Sequence, residues 1–243
     1  GKDYSKINHS FLQKRISGGI LVGNEKDSCA IKKITDMGYP IAVVDYDPKE
    51  IERHKMKDSN LIVVNSMDFE GTVQALNYII GLGHNDIGII TGRNETYSGK
   101  QRFEAYRYVM EQHGYKIRPE FILEGEFLKK KTYNEVEKLI RLKKLPTALF
   151  ACNDDMALAA MEVFEREGIR VPEDISIIGF DDIPVASQMK PALTTVRVPV
   201  DDMVTKATDL LIEGIEKEER SFKSENFPTE FISRDTCMKI DKQ

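Results

Sequence analysis

Carboxylates, an amide and an arginine stand where short apolar runs of this chain end, positions from which side chains can hold a polar ligand. The run Ala148 to Cys152 ends at Asn153-Asp154-Asp155, and the run Ile175 to Phe180 ends at Asp181-Asp182. Such runs, bounded by polar residues, have the pattern of strands buried on both faces. Two parallel strands joined by a helix leave both carboxyl-side turns at one sheet edge, where open α/β sheets hold ligands. Asn153 and Asp181 are therefore candidates to share one crevice, while Asx residues after strands also serve as turn formers and helix caps. Ser98 and Arg102 are four apart and share a face of the first turn if a helix starts near Ser98. A helix N-terminus with an Arg suits an oxygen-rich ligand. The same spacing equally fits a capping Ser98 and a solvated Arg102. A further carboxylate, Asp45, closes the run PIAVVD.

Paired carboxylates such as Asp154, Asp155, Asp181 and Asp182 are necessary for acid–base work on a glycosidic bond, and far from sufficient. No nucleophile elbow or phosphate-cradling glycine loop accompanies them, so no reaction is expected. Cys29, Cys152 and Cys237 are odd in number and far apart, which fits reduced thiols of a cytosolic protein better than a disulfide framework. Neither they nor the four histidines show metal-ligand spacing, and no cofactor is expected. A net charge of −5 argues against a long phosphate-neutralising surface, so this segment by itself is not expected to grip DNA. No apolar run approaches membrane-spanning length, and the start GKDYSKINHSF lacks the apolar core of a secretory signal.

The elements that must position these residues follow from apolar periodicity, in a chain of 243 residues, long enough for one large α/β domain or two lobes. Strands are expected at Gly18 to Gly23, Pro40 to Asp45, Leu61 to Val64, Ile87 to Thr91, Phe121 to Gly125, and the two runs above. Helical spacing covers Ile7 to Lys14, Ser28 to Met37, Phe69 to Leu82, Arg102 to His113, Tyr133 to Leu142, Met156 to Phe164 and Met203 to Ile215. Glycines at 38, 83, 114 and 168 act as stops. The charged stretch Tyr46 to Ser59 reads as loop, and Glu216 to Asn226 as an exposed connection. Phe227 to Ser233 alternates and carries Pro228, the mark of an edge strand.

Four separated blocks then resemble one family. They are DFEGTVQALNYIIGLGHNDIGIITG from Asp68, SGKQRFEAY from Ser98, PTALFACNDDMALAAMEVFEREGIRVPEDISIIGFDD from Pro146, and PALTTVRVPVDDMVTKATDLLIEGI from Pro191. In this order they are similar to the effector-binding core of LacI-family bacterial transcription regulators, which resembles periplasmic sugar-binding proteins. The resemblance implies an α/β fold of two doubly wound parallel-sheet lobes joined by three crossings. It places residues 1–66 plus 200–225 in an N-lobe and 67–199 plus 226–243 in a C-lobe. It implies a small-molecule effector, a carbohydrate by default, held between the lobes, in a homodimer that reaches operator DNA only through an N-terminal helix-turn-helix domain. Neither that domain nor the family's first strand, helix and strand of the N-lobe is found here, and the N-lobe reads as truncated. Arg102 resembles the family arginine that bonds effector hydroxyls or carboxylates, and Asp181 the carboxylate that accepts from the ligand. Asn153 matches the Asn of the family's Asn-Asp turn. Ser98 and Asp45 carry over less directly, and Tyr46 and Tyr97 are candidates to offer aromatic faces. Arg102→Ala and Asp181→Ala are each expected to remove most effector binding from a domain that stays folded. A receptor handing a sugar to a transporter uses the same cleft and is the alternative reading.

Overall fold

In the computed structural model, which describes residues 16–23, 28–142, 144–217 and 222–240, the short apolar runs become strands of two parallel sheets. The described residues open with β1 (Gly19–Val22), α1 (Ser28–Asp36), β2 (Ile41–Val44), α2 (Pro48–Arg53) and β3 (Leu61–Ser66). It continues through α3 (Asp68–Gly81), β4 (Ile87–Thr91), α4 (Tyr97–Gln112), β5 (Ile122–Glu124) and α5 (Lys129–Ile140). Then come β6 (Ala148–Ala151), α6 (Asp154–Arg166), β7 (Ser176–Ile178), β8 (Thr195–Arg197), α7 (Val200–Lys217), β9 (Lys223–Phe227) and β10 (Glu230–Ile232). Two units result. Unit 1 holds the chain up to Ser66, Glu95–Tyr97 and Pro199–Phe227, and unit 2 holds Met67–Asn94, Ser98–Val198 and the chain from Pro228.

Unit 1 is one parallel sheet in the order β1-β2-β3-β9. Its core joins Ile31 and Ile34 of α1 to Ile41, Val43, Leu61 and Val63 of the sheet, with Tyr46, Ile51 and Met56 closing it. Helix α7 buries Met203, Ala207, Leu210 and Leu211, one stripe at helical spacing. Strand β1 is the sheet's edge among the described residues, and its Val22 is 71% exposed.

Unit 2 is a second parallel sheet in the order β5-β4-β6-β7, extended by an antiparallel pair, β8 with β10. From β4 the chain passes through α4 to β5 on one side, then through α5 to β6 on the other side of β4. That reversal makes the β4/β6 junction a topological switch point, the place where a doubly wound sheet opens a crevice at the strands' carboxyl ends. The core, with Ile89, Ile90, Leu149, Phe150, Ile177 and Ile178 at its centre, is larger than that of unit 1.

Several expected boundaries move, each for a local reason. Tyr46 to Ser59 is not all loop: Asp47 caps α2 by accepting from the Lys49 N–H, and Pro48 sits in its first turn. The connection after α7 is not irregular either. Lys223–Phe227 pairs in register with Ile62 to Ser66, and its alternation of half-buried and exposed positions had been hidden by its polar composition. The helix expected from Tyr133 starts earlier, at Lys129, and Lys129 to Lys131 form its first turn, where Lys129 meets Asp155 and Lys131 meets Glu124 and Glu126. Those carboxylates offset the unfavourable placement of cations at a helix N-terminus. The edge strand expected over Phe227 to Ser233 is split, with β9 ending at Phe227 and β10 starting at Glu230. The helix expected over Ile7 to Lys14 lies outside the described residues.

Candidate functional site

The switch-point edge of unit 2 collects Arg102, Asp68, Asp181, the Cys152 carbonyl and two phenylalanines. Helix α4 begins at Tyr97, so Ser98 and Arg102 lie one turn apart in it, as the spacing predicts. Arg102 is only 5% exposed. Its Nε donates to Asp68 Oδ2 at 2.9 Å, and its Nη1 donates to the Cys152 carbonyl and to Asp181 Oδ1 at 3.3 Å. The guanidinium carbon stands 3.8 Å from the Phe180 ring centroid and 5.9 Å from that of Phe127. A planar cation stacked on one ring and bonded along its edge to two carboxylates and a carbonyl is a use of Arg that Lys does not reproduce.

The two carboxylates differ. Asp68 opens α3 with its side chain 1% exposed and paired with Arg102. Asp181 keeps 34% of its side chain open to solvent. Burial pushes the Asp181 carboxyl up to about 6, against the opposite pull of Arg102. Asp181 (φ 112°) and Asp182 (φ 57°) both take left-handed backbone, a conformation that persists in non-glycine residues only when the surroundings enforce it. Asp182 meets Arg197 at 2.8 Å and Arg234 at 2.6 Å, which makes it a structural partner of the turn.

Asn153 caps α6, its Oδ1 accepting the Met156 N–H at 2.9 Å. The capping reading left open by the sequence is thus satisfied, and the side-chain nitrogen makes no hydrogen bond among the described residues. Asp155 is half-buried and meets Lys129 at 3.1 Å. Cys152 is fully buried and its thiol is pushed up to about 12 by burial, which removes it as a nucleophile.

Phe127 was not singled out by spacing. It follows β5 in a turn where Glu126 (φ 54°) and Phe127 (φ 58°) are both left-handed. The turn is held by the Glu126 N–H on the Thr91 carbonyl and the Leu128 N–H on the Gly125 carbonyl. The ring lies so close to Gly92, just beyond β4, that a Cβ there would stand 2.2 Å from it. The only sequence signal is the glycine before this turn. Asp68 was likewise passed over, since an acidic residue opening a helix is unremarkable on its dipole.

In unit 1, Asp45 ends β2 in left-handed backbone (φ 61°), its N–H donating to the Val64 carbonyl. Tyr46 corrects its expectation: the ring is 0% exposed in the unit's core and its hydroxyl donates to Ser28 Oγ at 2.8 Å. Its backbone N–H and carbonyl are both bonded to the Asn65 amide. Tyr97 is half-buried at the start of α4.

Comparison with known proteins speaks to the family and the fold. A model of the periplasmic binding protein-like domain matches residues 76–237. The chain is 33% identical over 241 residues to a protein named probable HTH-type transcriptional repressor ExuR from Bacillus subtilis, covering 99% of this chain and 70% of that one. It is 35% identical over 213 residues to the HTH-type transcriptional repressor PurR of Pasteurella multocida, covering 86% of this chain and 61% of the relative. The crystal structure of a sugar-binding transcriptional regulator of the LacI family from Escherichia coli, complexed with phosphate, is 26% identical. It superposes with a TM-score of 0.80, covering 97% of this chain and 82% of that one. Two parallel-sheet units, a switch-point site on the second and these relatives together place the chain in the periplasmic binding protein-like family, as the effector-binding core of a LacI-family transcriptional regulator.

Proposed function

We propose that the chain senses a small, hydroxyl-rich effector, a sugar or sugar derivative, and passes its presence on as a change in operator affinity. The observation that carries this reading is the Arg102–Asp181 pair at the β4/β6 switch point, a fixed fork of donors beside a partly exposed carboxylate acceptor. Phe127 supplies the aromatic face for an apolar ring surface that Tyr46, turned into the core, does not. Asn153 offers its amide nitrogen, and Ser98, Tyr97 and Asp45 remain candidates for the rest of the pocket. Residues 1–66 with 200–225 act as the N-lobe and 67–199 with 226–243 as the C-lobe. The effector favours their closed arrangement, and the coupling cannot exceed its differential affinity for the two arrangements.

No reaction takes place in this mechanism. The protein works in the cytoplasm as a homodimer. Contact with operator DNA runs through a helix-turn-helix domain upstream, as in relatives named HTH-type repressors. No described helix is long and apolar enough to cross a membrane.

A thermal-shift screen against sugars, sugar phosphates and purines is the first test, because a ligand of the folded state alone raises its melting temperature. Calorimetry of Asp181→Ala with the compound so found is expected to show a loss of about 2–5 kcal/mol. Unchanged affinity would remove Asp181 from the site. A chain that binds a sugar but whose full-length form ignores DNA would favour the transporter-receptor alternative.

A further inference from the structure

We propose that Asp154 is the positioning residue of the Asp181 turn, fixing the direction in which Asp181 faces Arg102. As the first residue of α6 it needs nothing beyond helical backbone, and Asn153 already caps that helix. Its contacts go elsewhere. The Asp154 N–H donates to the Phe180 carbonyl at 2.7 Å, and its Oδ2 accepts the Ile183 N–H at 2.9 Å. Its Oδ1 accepts the Thr195 hydroxyl at 2.5 Å. One residue thus grips the chain on both sides of Asp181-Asp182 and ties it to β8. Gly179 completes the fit: a Cβ there would stand 2.2 Å from Asp154 Oδ1.

The grip explains how two consecutive non-glycine residues stay left-handed at φ 112° and 57°. Backbone of that kind needs enforcement from both ends. Asp154 supplies it from the core side, while Arg197 and Arg234 hold Asp182 from the other. With the turn fixed, the Phe180 ring lies under Arg102 and the Asp181 carboxylate reaches its Nη1.

Asp154 is 0% exposed and no Lys or Arg among the described residues pairs with it. The charged groups that face it are the Asp181 and Asp182 carboxylates on the turn, while Arg197 of β8 goes to Asp182. Burial, together with those two carboxylates and against its two hydrogen bonds, pushes its carboxyl up to about 7. At neutral pH the turn is therefore held by an acceptor that is part carboxylate and part acid.

This assignment rests on the effector-site reading for its purpose, but its test needs no effector. Carboxyl NMR titration of Asp181, identified by its loss in Asp181→Asn, and amide exchange at Ile183 are followed in this chain and its variants. In Asp154→Ala the turn opens to water. The Asp181 midpoint then falls from about 6 toward the ordinary value near 4, and the Ile183 amide exchanges at least about ten-fold faster. Asp154→Asn keeps an acceptor for Ile183 and turns its amide toward the Thr195 hydroxyl, so it is expected to rescue both readouts. If Asp154→Ala fails to fold, Thr195→Val, which removes one donor, is expected to move both readouts the same way by less. A folded Asp154→Ala, or in its place Thr195→Val, with the Asp181 midpoint and Ile183 protection both unchanged overturns the proposal. Failure of every effector screen leaves these readouts standing, which separates the two claims.

Discussion

Two turns of this protein start alike and end differently. In each, a buried parallel strand finishes at an Asp in left-handed backbone: Asp45 after β2 in unit 1, Asp181 beyond β7 in unit 2. After Asp45, the aromatic Tyr46 plunges into the core and its polar atoms are bonded to Ser28 and Asn65, neutral groups matched to neutral groups. Around Asp181, the aromatic Phe180 lies under a cation, and that cation is shared by two carboxylates, one buried and one partly open. The first arrangement costs little to bury and resembles a structural clamp. The second holds charge where water is scarce, which is expensive unless every group stays paired. That difference teaches that a carboxylate at a strand end says nothing of its use until its neighbours' charges are known.

The largest break expected in this contrast comes from Arg102→Ala, which removes the cation paired with the buried Asp68 carboxylate. Urea unfolding should show a loss of about 3–5 kcal/mol in a domain that still folds. Asp181→Ala, whose side chain is partly exposed, is the cleaner probe of binding. Should Arg102→Ala unfold like the wild type, the charged cluster does not hold this edge of the sheet.

Next is the pH dependence set by Asp154. Its folded-state pKa lies near 7, above the unfolded value near 4. The stability this gives is present below about pH 4 and is lost as pH rises to about 7. Asp154→Asn, which cannot ionise, should match the wild type at low pH and exceed it by as much as a few kcal/mol above pH 7. Melting curves at pH 5 and pH 8 test this, and a gap that is the same at both would refute the buried titration.

The smallest effect sharpens the comparison between the two aromatic residues. Tyr46→Phe removes one buried hydrogen bond and should cost about 1 kcal/mol of stability with no change in effector affinity. Phe127→Ala, at a half-buried ring, should do the reverse: a modest change in melting temperature and at least about a ten-fold weaker affinity for a sugar found by screening. An equal loss of affinity in both would return Tyr46 to the candidate list.

Much of the fold could be read from periodicity alone. Apolar runs marked every strand with a continuous buried core, from Ile41 to Ile178, because a strand covered on both faces must be apolar throughout. Lys223–Phe227 escaped because a strand with one face exposed needs few apolar residues, and charge masked its alternation. Helix α2 escaped because it has only six residues, although Asp47-Pro48 was a legible start. For the site, Arg102 and Asp181 were legible as strand-end and helix-start residues, and Asn153 was legible as either cap or ligand. Phe127, Asp68 and Asp154 were not, since their roles come from partners 25 or more residues away along the chain.

The sequence by itself determined the apolar strands and the amphipathic helices, that the sheets are parallel, and that polar side chains gather at strand ends. Those features follow from local periodicity and from the short reach of turns. Only the tertiary structure decided that Tyr46 faces inward, that Arg102 is shared between Asp68 and Asp181, and that Asp154 grips the turn beyond β7. Each of those outcomes depends on which charges and donors the fold brings together in a site with little water, where a single missing partner would cost more than any local preference supplies.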